Sequence, residues 1–206
     1  NGNAIQTGKV FLWPVDVTLA GYEAVFKHQL IVSGYINTIL YTGVGTFLNV
    51  CATMICAYPL SRRDMQWKGF YMFVFVFTMY FGGGLIPTYM LYMEMKLIRT
   101  YWVMVLPYGL SITYFIIMRN YFSYSVPREL EDAARIDGCN DVRVFFQVIL
   151  PLSKPMLAAV SLFIAVGFWN DYYSYMMYIA TKPTLQPFAW VLRGLVFFLL
   201  LNAFTS

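Results

Sequence analysis

Residues 34–60, GYINTILYTGVGTFLNVCATMICAYPL, contain no charged side chain. In an α-helix each residue adds about 1.5 Å, so this run is longer than the hydrocarbon core of a bilayer, which is about 30 Å thick. It is therefore predicted to be a transmembrane helix.

The composition of the whole chain supports this interpretation. Apolar residues make up 60% of the 206 residues and charged residues only 12%, whereas a soluble domain has roughly 25% charged residues. The mean hydropathy is +0.60. The net charge of +4 comes from basic residues in short loops and not from a basic stripe, so no nucleic-acid partner is expected.

The apolar runs predict an all-α, polytopic transmembrane helix bundle in a single domain, residues 1–206, that lies in the lipid bilayer. A charged segment, residues 119–154, is predicted to lie in water. The excess of Lys and Arg in this segment and in 61–68 assigns both to the cytoplasm. Because only about a dozen residues follow Arg193, too few to cross a bilayer, we expect a chain truncated at both ends. The predicted spans are residues 34–60, 69–93, 101–118, 155–169 and 188–206.

The charged segment contains the string PRELEDAARIDGCNDVRVFFQVILPLSKP, residues 127–155. Pro127 followed by acidic residues predicts a helix start, because acids are favourable at the positive end of the helix dipole. Gly138 is expected to end this first helix in a left-handed conformation, and Asp141 to cap a second one. The first helix is predicted to have an apolar face made of Leu130, Ala133, Ala134 and Ile136.

Phe145 and Phe146 in the second helix stand next to charged residues. Aromatic side chains exposed in an aqueous loop indicate a protein partner. The alternative is an amphipathic segment that rests on the lipid surface.

The loop resembles the Glu-Ala-Ala loop of ABC importer permeases. The resemblance lies in the run Asp132-Ala133-Ala134, in Gly138, and in Val148-Ile149-Leu150-Pro151, with the longer string similar to the carbohydrate-uptake branch and the second permease of maltose-type importers. Matches outside the loop are Tyr35-Ile36-Asn37-Thr38, Ala57-Tyr58-Pro59-Leu60-Ser61-Arg62, Pro87-Thr88-Tyr89 and Trp169-Asn170-Asp171. One departure is Asp132, where the family most often has Glu.

This resemblance implies a type I ABC importer permease, a multi-pass protein of the bacterial cell membrane. It implies half of a translocation path for a sugar or oligosaccharide, formed with a second permease subunit as a heterodimer. The other implied partners are a pair of cytoplasmic ATP-binding subunits and an extracellular solute-binding protein. The residues implied to couple the path to the ATPase are Asp132, Ala133, Ala134, Gly138, Phe145, Phe146, Leu150 and Pro151.

Two sets of polar residues are candidates for lining a path. Asn37 and Asn49 lie within the first span, where an amide either bonds a neighbouring helix or faces a water-filled path. Trp169, Asn170 and Asp171, with the nearby tyrosines 172, 173 and 175, could form a platform for a sugar. They could instead form an aromatic belt at the membrane interface, which is the interpretation that we favour.

Nothing in the sequence predicts covalent chemistry, a cofactor or a metal site. His28 is the single histidine, and the three cysteines give no disulfide framework. Gly43-Val44-Gly45 and Gly82-Gly83-Gly84 complete no phosphate-binding fingerprint and are predicted to allow close helix packing or a helix break. The remaining alternatives are an ABC permease for a non-sugar solute, a membrane-embedded enzyme and a passive channel.

Overall fold

The computed structural model describes residues 29–194 and Phe197. The N-terminal segment 1–28, most of the predicted fifth span, and the expected truncation therefore lie outside the described residues. The described part is helical throughout and has no strand. Its elements are helices α1 (Gln29–Ser61), α2 (Lys68–Tyr80), α3 (Leu85–Glu94), α4 (Trp102–Val105), α5 (Ile112–Tyr124), α6 (Arg128–Ile136), α7 (Asp141–Val144), α8 (Leu150–Leu152), α9 (Lys154–Asn170) and α10 (Tyr173–Tyr178), then α11, which is described over 188–194.

Helix α1 is the central element and contains the whole of the first predicted span. It packs along both α5 and α9. Within the described residues it is the one unbroken helix that is long and apolar enough to cross a membrane. Its first half leads away from what we call the aromatic end of the bundle, residues 97–101 and 171–187. Its C-terminus reaches the opposite end, the loop end, which comprises residues 61–67 and 125–153.

The second predicted span, 69–93, is not one straight helix. It consists of α2 and α3, which meet at 110°. Gly84, the last of the three glycines, has a φ of +80°, which an α-helix does not tolerate. The glycine run therefore breaks the helix, as one of the two sequence interpretations predicted.

The third and fourth predicted spans also need adjustment. The third begins as α4, passes through a 3₁₀ turn at Leu106–Tyr108 that contains Pro107, and continues as α5 at an angle of 45°. Helix α5 runs to Tyr124, so the helix continues past the predicted end of the third span at residue 118. The fourth predicted span corresponds to α9, which follows residues 141–152 at an angle of 78°. Within the described residues, one helix is long and apolar enough to cross a membrane, or up to four if each bent pair is one span.

Two apolar clusters hold the bundle together. One lies toward the loop end and joins α1, α5, α9 and the loop, with Phe115, Met118 and Ile149 fully buried. The other lies toward the aromatic end and surrounds Tyr41 and Tyr175. By contrast, no residue of α2 or α3 is fully buried, and many of their apolar side chains are exposed in this structure.

Helices α1 and α9 approach closely at Gly45. A β-carbon at this position would lie 2.5 Å from the ring of Phe168, which is shorter than the non-bonded contacts that real β-carbons make. A hydrogen is therefore the only side chain that fits without movement, and the prediction of close packing is confirmed there. At Gly43 there is nothing within 4 Å, so this glycine takes no part in the contact.

Candidate functional site

The first helix of the loop, α6, ends as the sequence predicted. Gly138 has a φ of +81°. Its N–H donates to the carbonyl of Arg135, and the N–H of Cys139 donates to the carbonyl of Ala134, both at 3.0 Å. This pair of bonds is the Schellman motif, in which the residue just after the helix C-cap adopts the left-handed conformation. Here that residue is Gly138. Gly138 thus turns the chain between the two loop helices.

The cap of the second helix, α7, is a different residue from the one predicted. The side-chain oxygen of Asn140 accepts from the N–H of Arg143 at 2.8 Å, so Asn140 is the N-cap and Asp141 is the first helical residue. Asp141 instead forms an exposed ion pair with Arg135 at 2.9 Å. This neighbouring carboxylate raises the pKa of Arg135 above its ordinary value, and the pair links the two loop helices on their solvent side.

The two loop phenylalanines point in different directions. Phe145 is half-buried, and its ring lies 4.8 Å from that of Tyr58 in α1. Phe146 is 59% exposed. The backbone here is a π-turn over Phe145–Ile149, which adds a residue to the turn and so rotates neighbouring side chains apart. Of these two phenylalanines, only Phe146 is exposed in this structure.

The buried and exposed residues of α6 also differ from the prediction. Ala134 is buried, but Leu130 is 44% exposed and Ile136 is 86% exposed, so the four predicted residues do not form one buried face. Asp132 and Ala133 are exposed as well. We call the exposed surface of the loop its outer face, made of Leu130, Asp132, Ala133, Ile136, Val142 and Phe146.

The outer face combines apolar side chains with a carboxylate, a composition suited to a protein partner. The other two predicted loop residues lie at its margin: Leu150 is half-buried and Pro151 is exposed. The structure therefore brings six of the eight predicted coupling residues to the surface or its turn, while Ala134 and most of Phe145 pack inward.

Glu131 faces inward on α6 together with Ala134. The sequence had predicted only that the acidic residues after Pro127 stabilise the start of the helix. The carboxylate of Glu131 forms an ion pair with the guanidinium of Arg62, just after the end of α1, and the two side chains are 8% and 14% exposed. The guanidinium also lies 4.4 Å from the centre of the Tyr58 ring, a favourable cation–π position. The two adjacent acids Glu131 and Asp132 point about 100° apart on the helix, and in this structure only Asp132 is exposed.

The C-terminus of α1 is held by further polar groups. Lys68 Nζ donates to the carbonyl of Arg62 at 2.8 Å, and Arg119 Nε to that of Leu60 at 3.3 Å. Ser123 Oγ donates to the carbonyl of Ser61 at 3.3 Å. Cations near a helix C-terminus are stabilised by its partial negative charge, so this helix end is fixed to α2 and α5.

A cavity of about 450 Å³ lies beside α1, between the 3₁₀ turn and α9. Three of the predicted path residues, Asn49, Asn170 and Asp171, line it together with tyrosine and phenylalanine rings. Asn49 also donates a hydrogen bond to the carbonyl of Tyr108. Its amide therefore bonds the 3₁₀ turn that interrupts the third predicted span, and it also borders the cavity. The hydrogen bond agrees with one of the two sequence interpretations of Asn49, and a water-filled path at this side chain stays a prediction.

The remaining path candidates have structural contacts elsewhere. Asn37 donates to the carbonyls of Thr184 and Gln186 at 2.9 and 3.0 Å, which ties the aromatic end to α1. Trp169 is 37% exposed and lies edge-on to Tyr35 at 6.3 Å, outside the cavity. Tyr175 is fully buried and so is not part of a sugar platform.

Among residues 29–194 and Phe197, no group of three or more His, Cys, Asp or Glu side chains could hold a metal ion. The site offers the chemistry of two surfaces. One is the exposed outer face at the loop end, and the other is the cavity lined by aromatic rings and amides.

Comparison with known proteins gives consistent similarities. Residues 24–204 match the family described as "Binding-protein-dependent transport system inner membrane component". The chain is 38% identical over 175 residues to the polygalacturonan/rhamnogalacturonan transport system permease protein YtcP of Bacillus subtilis, covering 85% of this chain and 61% of that protein. Protein LplC of the same organism is 38% identical over 183 residues, with coverages of 89% and 61%. The chain thus spans about three fifths of the length of these relatives.

The fold has a counterpart among solved structures. The crystal structure of a bacterial ABC transporter involved in the import of the acidic polysaccharide alginate contains a chain that superimposes with a TM-score of 0.82. The two chains are 31% identical, and the match covers 91% of this chain and 67% of the other.

Proposed function

The chain belongs to the family of inner membrane components of binding-protein-dependent transport systems, and from this premise we propose that it is a permease subunit of an ATP-driven importer. It is a membrane protein, and its family consists of transporter subunits and not of enzymes. In this proposal the chain binds no ATP itself. It forms half of a translocation path with a second permease, in the membrane of a bacterial cell.

The observation that carries the proposal is the outer face of the loop. Its two helices are held in a fixed geometry by the turn at Gly138 and by the Arg135–Asp141 pair. They leave Asp132, Ile136 and Phe146 exposed, with Ile136 86% and Phe146 59% exposed. An apolar patch of this kind, next to charge, suits a protein partner better than open water. The proposed partner is a cytoplasmic ATP-binding subunit.

The proposal assigns the loop end to the cytoplasm and the aromatic end to the outside. The basic residues of the loop end, among them Arg62, Arg63 and Arg143, favour this orientation under the positive-inside rule. A solute-binding protein would then deliver its cargo at the aromatic end. Movement of the loop would switch the path between outward- and inward-facing states.

The proposed cargo is a sugar or oligosaccharide. Relatives named for melibiose, raffinose and stachyose import and for galactooligosaccharides support this class. The cavity supports it too, because aromatic rings beside the amides of Asn49 and Asn170 suit the apolar faces and hydroxyl groups of sugars. The proposed path therefore passes this cavity.

Purification of the full-length subunit from native membranes tests the proposal. An ATPase and a second permease should purify with it, and the reconstituted complex should take up a labelled oligosaccharide only with ATP and a binding protein. Uptake without ATP would indicate a passive channel. ATP-dependent uptake of an amino acid or peptide, with no uptake of sugars, would overturn the substrate class alone.

A further inference from the structure

We infer that the Arg62–Glu131 ion pair is the positioning contact that transmits movement of α6 to α1. This inference rests on the proposed function, since it concerns how an ATPase bound at the outer face would act on the membrane helices. Glu131 and Asp132 are neighbours on a short helix. The first is buried against α1 and the second is exposed to a partner, so α6 lies between the partner and α1.

Burial makes the pair a firm connection. The side chains of Arg62 and Glu131 are 14% and 8% exposed, so water screens their attraction far less than it screens a surface pair. Within the described residues, Nε and Nη2 of Arg62 are buried without a hydrogen-bond partner. Loss of Glu131 would therefore leave a largely buried cation without its ion-pair partner, and such an uncompensated charge is strongly unfavourable.

The two residues also sit where movement would be passed on. Arg62 directly follows the end of α1 that Lys68, Arg119 and Ser123 hold from neighbouring elements. At the other end of α1, Asn37 holds the carbonyls of residues 184 and 186. A displacement of α6 that moves Arg62 would thus act on a helix that reaches the aromatic end.

Apolar packing provides a second contact between the loop and the bundle. Val144, Phe145 and Ile149 pack into the cluster at the loop end, but they lie on α7 and the π-turn after it. Among the side chains of α6 that the structure describes, the buried ones are Glu131 and Ala134. Ala134 has a single methyl group, so Glu131 is the long buried side chain that connects α6, through Arg62, to the end of α1.

The test uses the full importer, reconstituted in liposomes with its second permease, ATPase and binding protein. Arg62→Gln and Glu131→Gln each remove one charge. Arg63→Gln and Glu129→Gln are the matched controls, because each makes the same change at an exposed neighbour. The double variant Arg62→Glu/Glu131→Arg restores opposite charges. The readouts are the assembled complex, substrate-stimulated ATP hydrolysis, and uptake per ATP hydrolysed.

Each single variant should lower uptake per ATP by about tenfold, the effect of roughly 1.4 kcal/mol, while ATP hydrolysis continues. The controls should keep the ratio of the unaltered importer. The reversed pair should recover part of the loss, but not all, because Arg at 131 faces the positive end of the α6 dipole. Recovery shows that the contact itself matters and not either residue alone.

Three results would overturn the inference. The first is uptake per ATP that stays within about twofold in both single variants. The second is reduced abundance with normal uptake per assembled complex, which would mean that the pair only stabilises the fold. The third is loss of uptake in the controls as well. If the unaltered importer shows no ATP-dependent uptake, the proposed function fails, and that failure is distinct from all three.

Discussion

Replacing Gly138 by alanine should loosen the end of α6 without disturbing any neighbouring side chain. A β-carbon at this position would meet nothing within 4 Å, and the backbone φ is +81°. Steric overlap with other residues therefore contributes nothing, and the whole effect comes from the backbone. An L side chain in the left-handed region costs about 1–2 kcal/mol. That corresponds to roughly a 5–30-fold change in the equilibrium between the closed and opened turn.

The assay is amide hydrogen exchange of the permease in nanodiscs, because local opening controls the exchange of protected amides. The N–H groups of Gly138 and Cys139, which bond the last turn of α6, should exchange roughly 5–30 times faster in Gly138→Ala. Gly138→Asn should have a smaller effect, since asparagine tolerates the left-handed region better than alanine does. In the assembled importer, uptake should fall in the same order.

The matched control is Gly69→Ala. Gly69 also has open space around its α-carbon, but it lies in the first turn of α2, where alanine is favourable. Exchange in Gly138→Ala that stays within about twofold of the unaltered protein would refute the reasoning. So would an Asn variant that is more damaging than the Ala variant.

Three further predictions concern other parts of the chain. Gly45→Val should destabilise the bundle by about 1–3 kcal/mol through overpacking, seen as a lower melting temperature in detergent, whereas Gly43→Val should change it little; equal effects would contradict the close contact. Asp132→Lys should abolish uptake at normal abundance while Asp132→Glu is tolerated, and normal uptake by the Lys variant would mean that the outer face binds no basic partner. A cysteine in place of Arg143 should react with thiol reagents only from the cytoplasm and one in place of Lys182 only from outside; the reverse pattern would invert the topology.

Local chemistry explains which features the sequence predicts well. The first span is fixed by an uninterrupted apolar run, and the end of α6 by a glycine that has no competitor within the helix. The break after Tyr80 is signalled by three glycines, although the 110° angle is not, because it depends on how α2 and α3 meet the rest of the bundle. Runs of residue types therefore predict element boundaries but not the angles between elements.

The features that the sequence did not predict depend on distant residues. Asn140 and Asp141 are both good helix caps; in the structure Asn140 caps α7, while Asp141 pairs with Arg135 across the turn. Arg62 was counted as a topology signal in a basic loop. Its role as the partner of Glu131 requires two segments far apart in sequence to meet, and no periodicity or composition within one segment contains that information.

The cavity at the level of Asn49 separates the two apolar clusters along α1. Toward the aromatic end, Tyr41 lies in one cluster, and toward the loop end, Ala57 lies in the other. Side chains that border a cavity have fewer packed neighbours than those of the close-packed clusters on either side. Side chains around Asn49 should therefore change position more readily than those of either cluster, and the two ends should behave as separate, stiffer bodies.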